Sequence, residues 1–317
     1  MADRTVTVKA SGGDYTDLWN AEAGEQGDLP TLARILTIEH YLAGDGSYGA
    51  TTFDGWTTDA THYINVVVPA AARHLGKWDA TKSNYTTSAT QLNVQIQENF
   101  VRFTGFQFGA ATRTVETPLV KTTGGSGVDI RFIACIFKAG ATASVYLQGA
   151  LLESGGTHYF IDCLFYDIQT NVSDTHWFGA IRAGGSGVVA NVWNCTFQNC
   201  RQALGAESSS TINAVNVGAA SCTTADYGTV NKTTCSTTTP TFVDEAGDDF
   251  HLAAADITWL GQGTADPGSG LYSTDIDGET IVAPWPIGAD WRAAAAGGLS
   301  IPVARPYTQA VNRAAVY

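Results

Sequence analysis

Residues 131–137 read RFIACIF, residues 159–165 read YFIDCLF and residues 191–197 read NVWNCTF. The shared pattern is apolar-x-Cys-x-Phe, at Cys135/Phe137, Cys163/Phe165 and Cys195/Phe197. A weaker relative, FTGFQF (103–108), places Phe106 in the Cys slot and Phe108 in the Phe slot. Successive Phe slots lie 29, 28 and 32 residues apart. Self-similarity at such a period marks stacked repeats. Within a copy the apolar residues alternate, and side chains of a strand point to opposite faces in turn. A strand of about seven residues is therefore expected, with Ile133, Cys135 and Phe137 on one face and Phe132, Ala134 and Ile136 on the other.

Between the copies lie short strand-like runs, ASVYLQGALL (143–152) and WFGAIRA (177–183). Gly-rich breaks separate them: TTGGSG (122–127), ESGG (153–156) and AGGSG (183–187). Strand, turn, strand, turn, then the same strand one layer up describes one coil of a parallel β-helix. Like side chains then stack along the axis, which accounts for the repeated Cys and Phe. An antiparallel β-sandwich is the competing reading, in which the repetition is accidental.

The expected class is all-β: a right-handed parallel β-helix solenoid with an N-terminal cap and an extended C-terminal tail. Solenoids need caps because a terminal coil exposes its core and an unpaired edge. Residues 1–62 are assigned to the cap and first coils, with a strand at Thr5–Lys9 and a short helix opened by Thr16 or Asp17. Residues 63–239 are assigned to the β-helix, beginning with YINVVVPAAA (63–72). Residues 240–291 form an acidic closing segment and residues 292–317 an extended arm.

Composition agrees. The chain of 317 residues is 44% hydrophobic and only 15% charged, with 34 glycines, a balance that favours strands and turns. The net charge of −13 argues against nucleic-acid binding, which rests on Lys and Arg. No run of 18 apolar residues is present, so no membrane span is expected. The N-terminus lacks the basic-then-apolar order of a secretory signal. Stacked Cys135, Cys163 and Cys195 are expected as buried thiols, since free Cys behaves as a small hydrophobe. Disulfides are the alternative, and Cys200, Cys222 and Cys235, outside the slot, remain free to pair.

The opening VKASGGDYTDL, the Cys-x-Phe repeats and the stretch 242–291 together resemble right-handed parallel β-helix proteins of the pectate-lyase-like superfamily. The last stretch is similar to a segment that closes such helices, in Phe242–Asp244, Gly247–Leu252, Asp275–Gly278 and Ile287–Ala289. The resemblance implies the fold. It spans polysaccharide lyases and hydrolases as well as phage tailspikes and capsid-decorating proteins, so it leaves function open.

A glycosidase needs two carboxylates at a set separation. Beside the repeated Cys stand Ala134, Asp162 and Asn194, so Asp162 has no acid directly above or below it. Asp167, Asp174 and His176 follow in the next loop, and with Asp162 they are the best enzymatic candidates. STDIDGE (273–279) resembles a calcium loop through Asp275, Asp277 and Glu279 but lacks the further ligands such loops require. No cofactor is expected.

Two surface features point to contacts. On the strand reading above, Phe103, Phe132, Phe160 and Val192 form an outward apolar stripe, extended by Ile136 and Leu164. Contiguous apolar surface marks a contact, with another part of this chain or with a neighbouring subunit. From Pro240 to Trp291 there are ten acids and no Lys or Arg, whereas Arg292–Tyr317 carries three Arg and no acid. Ile301, Val303, Arg305, Tyr307, Arg313 and Tyr317 are the expected contact residues of this arm.

Two functions follow as expectations. The first is a structural virion protein, a phage capsid-decoration or tail component assembled in the host cytoplasm. Its partners would be other virion proteins or further copies of the chain, with a surface glycan as a further candidate. The second is a polysaccharide lyase or glycoside hydrolase of the tailspike kind.

Overall fold

The structure, a computed structural model, describes residues 3–46, 49–88, 90–110, 117–124, 129–139, 147–169, 179–207, 209–224 and 226–292. Three parallel sheets wrap a single core. Face A has nine strands, in order from Arg4–Val8 through Leu36–His40, Ile64–Val67, Val101–Thr104, Ile130–Ile133, Gly156–Ile161, Val188–Trp193 and Thr211–Val215 to Val230–Thr233. Faces B and C have six strands each, represented by Ile136–Ala139 and Ala150–Leu152. The chain visits A, B and C in turn and returns to A one layer on. This is a parallel β-helix solenoid.

Register explains the repeats. On face A, Phe103, Phe132, Phe160 and Val192 are successive partners. On face B the partners are Phe108, Phe137, Phe165 and Phe197. Stacked rings run up both columns, at 5.6 and 5.0 Å between centroids on face A and at 5.1, 4.3 and 4.9 Å on face B. The columns meet edge to face, as in Phe132–Phe137 at 5.8 Å and 71°. Burying each ring contributes about 1.5–3 kcal/mol, and favourable ring pairs add about 0.5–1.5 kcal/mol.

This geometry corrects the strand reading. RFIACIF is two strands, broken at Ala134, whose φ is +49°. Gly105, Asp162, Asn194, Asn216 and Thr234 hold the same left-handed corner in other coils. Gly, Asn and Asp tolerate that region best. A left-handed residue turns the chain and resets the in–out alternation, so Phe132 and Phe137 both point inward. Phe103, Phe132, Phe160 and Val192 are therefore fully buried core residues and not an outward contact stripe. Ile136 and Leu164 do face outward, and the closing segment of the same chain covers them.

All six cysteines are free thiols. Cys135, Cys163 and Cys195 stack in the core, each donating from Sγ to a carbonyl of the preceding coil, of Phe103, Phe132 and Phe160. Cys235 lies just after the corner residue Thr234 and donates in the same way to Ala214 at 3.4 Å. It thus belongs to the repeated slot, from which the spacing of the sequence had excluded it.

At the N-terminal end, helix Leu18–Glu25 begins at Asp17, whose side chain accepts from the Asn20 N–H at 2.7 Å. Its Leu18 and Ala21 enter the core. Asp174, His176, Ile301, Val303, Arg305, Tyr307, Arg313 and Tyr317 lie outside the described residues.

Candidate functional site

The chemistry-bearing residues gather where the closing segment meets the outside of the solenoid. Phe242–Asp244 and Asp249–Leu252 pair as a short antiparallel hairpin. Asp256 then turns the chain, its Oδ2 accepting from the N–H groups of Thr258, Trp259 and Leu260. This places Trp259 against the solenoid with no exposed surface. Only glycine fits beneath it at 218, where a Cβ would lie 2.2 Å from the indole. Phe242, Phe250, Leu252, Ile276 and Ile287 complete the apolar contact with Ile136, Leu164 and Tyr166. From the solenoid side, Arg73 Nη2 donates to the Ile276 carbonyl at 3.1 Å.

Within this seam lies a polar cluster. Asp249 and His251 are two residues apart on one strand and so share a face. His251 Nδ1 meets Asp249, and its Nε2 lies 3.1 Å from Asp277 Oδ1. Asp290 is 4% exposed. Its Oδ2 accepts from the Leu252 N–H at 2.7 Å, while its Oδ1 has no hydrogen-bond partner. Donor atoms of His251, Asp277 and Asp290 lie within 4.8 Å of one another. A cavity of about 10 Å³ is lined by Gly76, His251 and Asp290 together with Phe250, Ile276 and Ala289. Such a volume holds about one water.

Electrostatics follow from burial and crowding. Burial alone would lower the His251 pKa, but the hydrogen bond and charge of Asp277, with Asp290 and Asp249, push it up to about 10. Burial raises the Asp290 carboxyl to about 6, an effect opposed by His251. Burial and the charges of Asp277 and Asp290 raise Asp275 to about 8.

The expected calcium loop divides. Asp275 is consumed by the backbone: Oδ1 accepts from the Asp277 and Glu279 N–H groups, and Oδ2 from Trp291. Glu279 is exposed. Only Asp277 joins the cluster. Its partners His251 and Asp290 sit in the GDDFHL and IGAD stretches, which as sequence marked the fold and not its chemistry. Strand alternation was the available signal for Asp249 with His251; nothing local in the sequence announces Asp290.

Of the four enzymatic candidates only Asp162 and Asp167 lie among the described residues, and they stand apart. Asp162 sits at the left-handed corner and is wholly buried. Burial, then the charge of Asp275, pushes its carboxyl well above the usual range. Asp167 stands at the far end of a face B strand, accepting from Asn199 Nδ2 at 2.7 Å. It lines an open groove of about 310 Å³ with Gln198, Ser221, Glu245 and Asp248.

One arrangement mimics a nucleophilic triad. His40 Nδ1 lies 2.6 Å from Ser83 Oγ and its Nε2 2.9 Å from Asp45 Oδ2. Ser83, His40 and Asp45 are 1%, 0% and 3% exposed, so no acyl group reaches the hydroxyl. Asp45 Oδ2 also accepts from the Leu18 N–H at 2.9 Å, which ties the capping helix to the first coils.

Compared with models of known protein families and with curated proteins, the chain finds no match in either.

Proposed function

We propose that this chain is a structural virion protein, a capsid-decoration or tail component on a right-handed β-helix of the pectate-lyase-like kind. The observation that carries this reading is the burial of Asp162. The one acid at the repeated A–B corner among the described coils is covered by the closing segment and reaches no glycan. The same segment braces the flank of the stacked core, which suits a particle component that must persist outside a cell. The test is composition: purified particles should contain the chain in a fixed copy number. Its absence from particles would refute the assignment.

A second reading has one observation in its favour. The groove beside Asp167 carries Glu245 and Asp248, and paired carboxylates are what glycan hydrolysis uses. On the structural reading, incubation with host surface polysaccharide releases no new reducing or unsaturated ends. Release that Asp167→Asn or Glu245→Gln abolishes would establish the enzyme instead.

A further inference from the structure

We propose that His251, Asp277 and Asp290 form a divalent-cation site of the zinc class, which fastens the parts of the closing segment to one another beside the solenoid. The three side chains come from separated stretches: the strand Asp249–Leu252, the turn at 275–278 and the approach to Trp291. A shared cation would link all three.

Four observations converge. The three donor atoms lie within 4.8 Å of one another, close enough for small side-chain shifts to bring them to the 2.0–2.2 Å typical of zinc–nitrogen and zinc–oxygen bonds. Asp290 Oδ1 is unpartnered on a side chain that is 4% exposed, and a buried carboxylate oxygen without a donor is costly. Asp249 holds His251 Nδ1 and thereby directs Nε2 toward Asp277; a carboxylate behind the ring is the usual support of a metal-binding histidine. Finally, the loop of the solenoid leaves room. A Cβ at Gly76 would fall 2.1 Å from Asp277 Oδ1 and 2.3 Å from His251 Nε2, and the small cavity opens beside it.

Charge favours the same assignment. Three carboxylates, of Asp249, Asp277 and Asp290, surround one imidazole. Among the described residues, the cations paired with these carboxylates are peripheral: Lys77 at 4.0 Å from Asp249 and Arg292 at 3.7 Å from Asp290, each about 40% exposed, while the buried Arg73 donates to the Ile276 carbonyl. A divalent ion would replace the Nε2 proton and neutralise more of the cluster than that proton does. One imidazole and two carboxylates suit zinc and neighbouring transition ions better than calcium or magnesium, which prefer all-oxygen cages.

The test uses the full chain, stripped with chelator and kept in a non-thiol reductant. Zn²⁺, Mn²⁺, Ca²⁺ and Mg²⁺ are titrated separately by calorimetry, and bound metal is counted after gel filtration. One Zn²⁺ per chain is expected, with Mn²⁺ weaker, Ca²⁺ and Mg²⁺ weaker still, and proton release visible as buffer-dependent heat. Asp277→Asn and Asp290→Asn should each weaken Zn²⁺ at least tenfold, while Cys222→Ser with Cys235→Ser should not. Absence of Zn²⁺ uptake by the wild-type chain overturns the proposal and leaves an imidazolium–carboxylate cluster. Uptake that survives both Asp variants, or that disappears with the two cysteines, overturns it equally. Should the Asp variants fail to fold, the electron paramagnetic resonance of Mn²⁺ on the wild-type chain decides: coupling to one imidazole nitrogen is expected, and its absence refutes the site.

Discussion

His158 takes an inward slot on face A between Ile130 and Ala190. Its Nε2 lies 3.2 Å from Thr122 Oγ1, and its Nδ1 has no partner. Burial lowers its pKa from the ordinary 6.5 to about 4. Between those values the unfolded chain binds a proton that the folded chain does not, so stability rises with pH across the window. The contribution is complete above pH 6.5 and is lost as pH falls toward 4, a difference of roughly 3 kcal/mol at 1.36 kcal/mol per unit. His158→Leu should therefore flatten the pH dependence in that window, measured as urea midpoints at pH 4.5 and 7 for both proteins. An unchanged slope would mean that other groups govern it. The thiols make a second prediction. Denatured, unreduced protein should titrate as six thiols, while in the folded protein Cys135, Cys163, Cys195 and Cys200, all buried, react far more slowly than Cys222 and Cys235.

At the scale of the element, the largest fully buried side chain of the closing segment is Trp259. Trp259 fills the space over Gly218 and Gly288 and donates from Nε1 to the Thr238 carbonyl at 2.9 Å. Trp259→Ala removes a fully buried indole, a change that typically costs about 3–5 kcal/mol. The segment should then loosen before the coils do, and limited proteolysis should cut within 240–291 while the stacked coils stay intact. Gly218→Val should produce the same pattern by displacing the indole. If either variant instead unfolds the whole chain in one step, segment and solenoid are a single cooperative unit.

The two ends of the whole molecule differ. A helix covers the first coil, whereas the last face A strand, Val230–Thr233, is largely exposed. Asn231, Lys232 and Thr233 line that edge, and polar and charged residues there discourage edge-to-edge pairing. The flank has no such protection once the closing segment is absent. A chain ending at residue 239 would bare Ile136, Leu164 and Tyr166, and an apolar patch of that kind drives association. Sedimentation should show it self-associating further than the intact chain. Removing 293–317 tests the expected arm separately: the thermal midpoint should hold and incorporation into particles should be lost. A midpoint lowered by many degrees would place those residues on the solenoid instead.

The parallel β-helix was legible in the sequence because stacking one residue type per slot writes a period into the chain. Cys135, Cys163 and Cys195 with their Phe partners carried that period, and Thr16 or Asp17 announced the capping helix, of which Asp17 is the cap. What period-two counting read wrongly was which way the side chains face. One left-handed residue at each corner resets the alternation, so Phe132 points inward although simple period-two counting sends it out. The column Gly105, Asp162, Asn194 and Asn216 held the clue, since these residues tolerate positive φ, but Ala134 interrupts it. The candidate site was less legible still. His251, Asp277 and Asp290 are 39 residues apart end to end and obey no local spacing. They meet because Trp259, Phe250 and Ile276 dock on the coils, and only that tertiary contact decides which carboxylates lose water and crowd one imidazole.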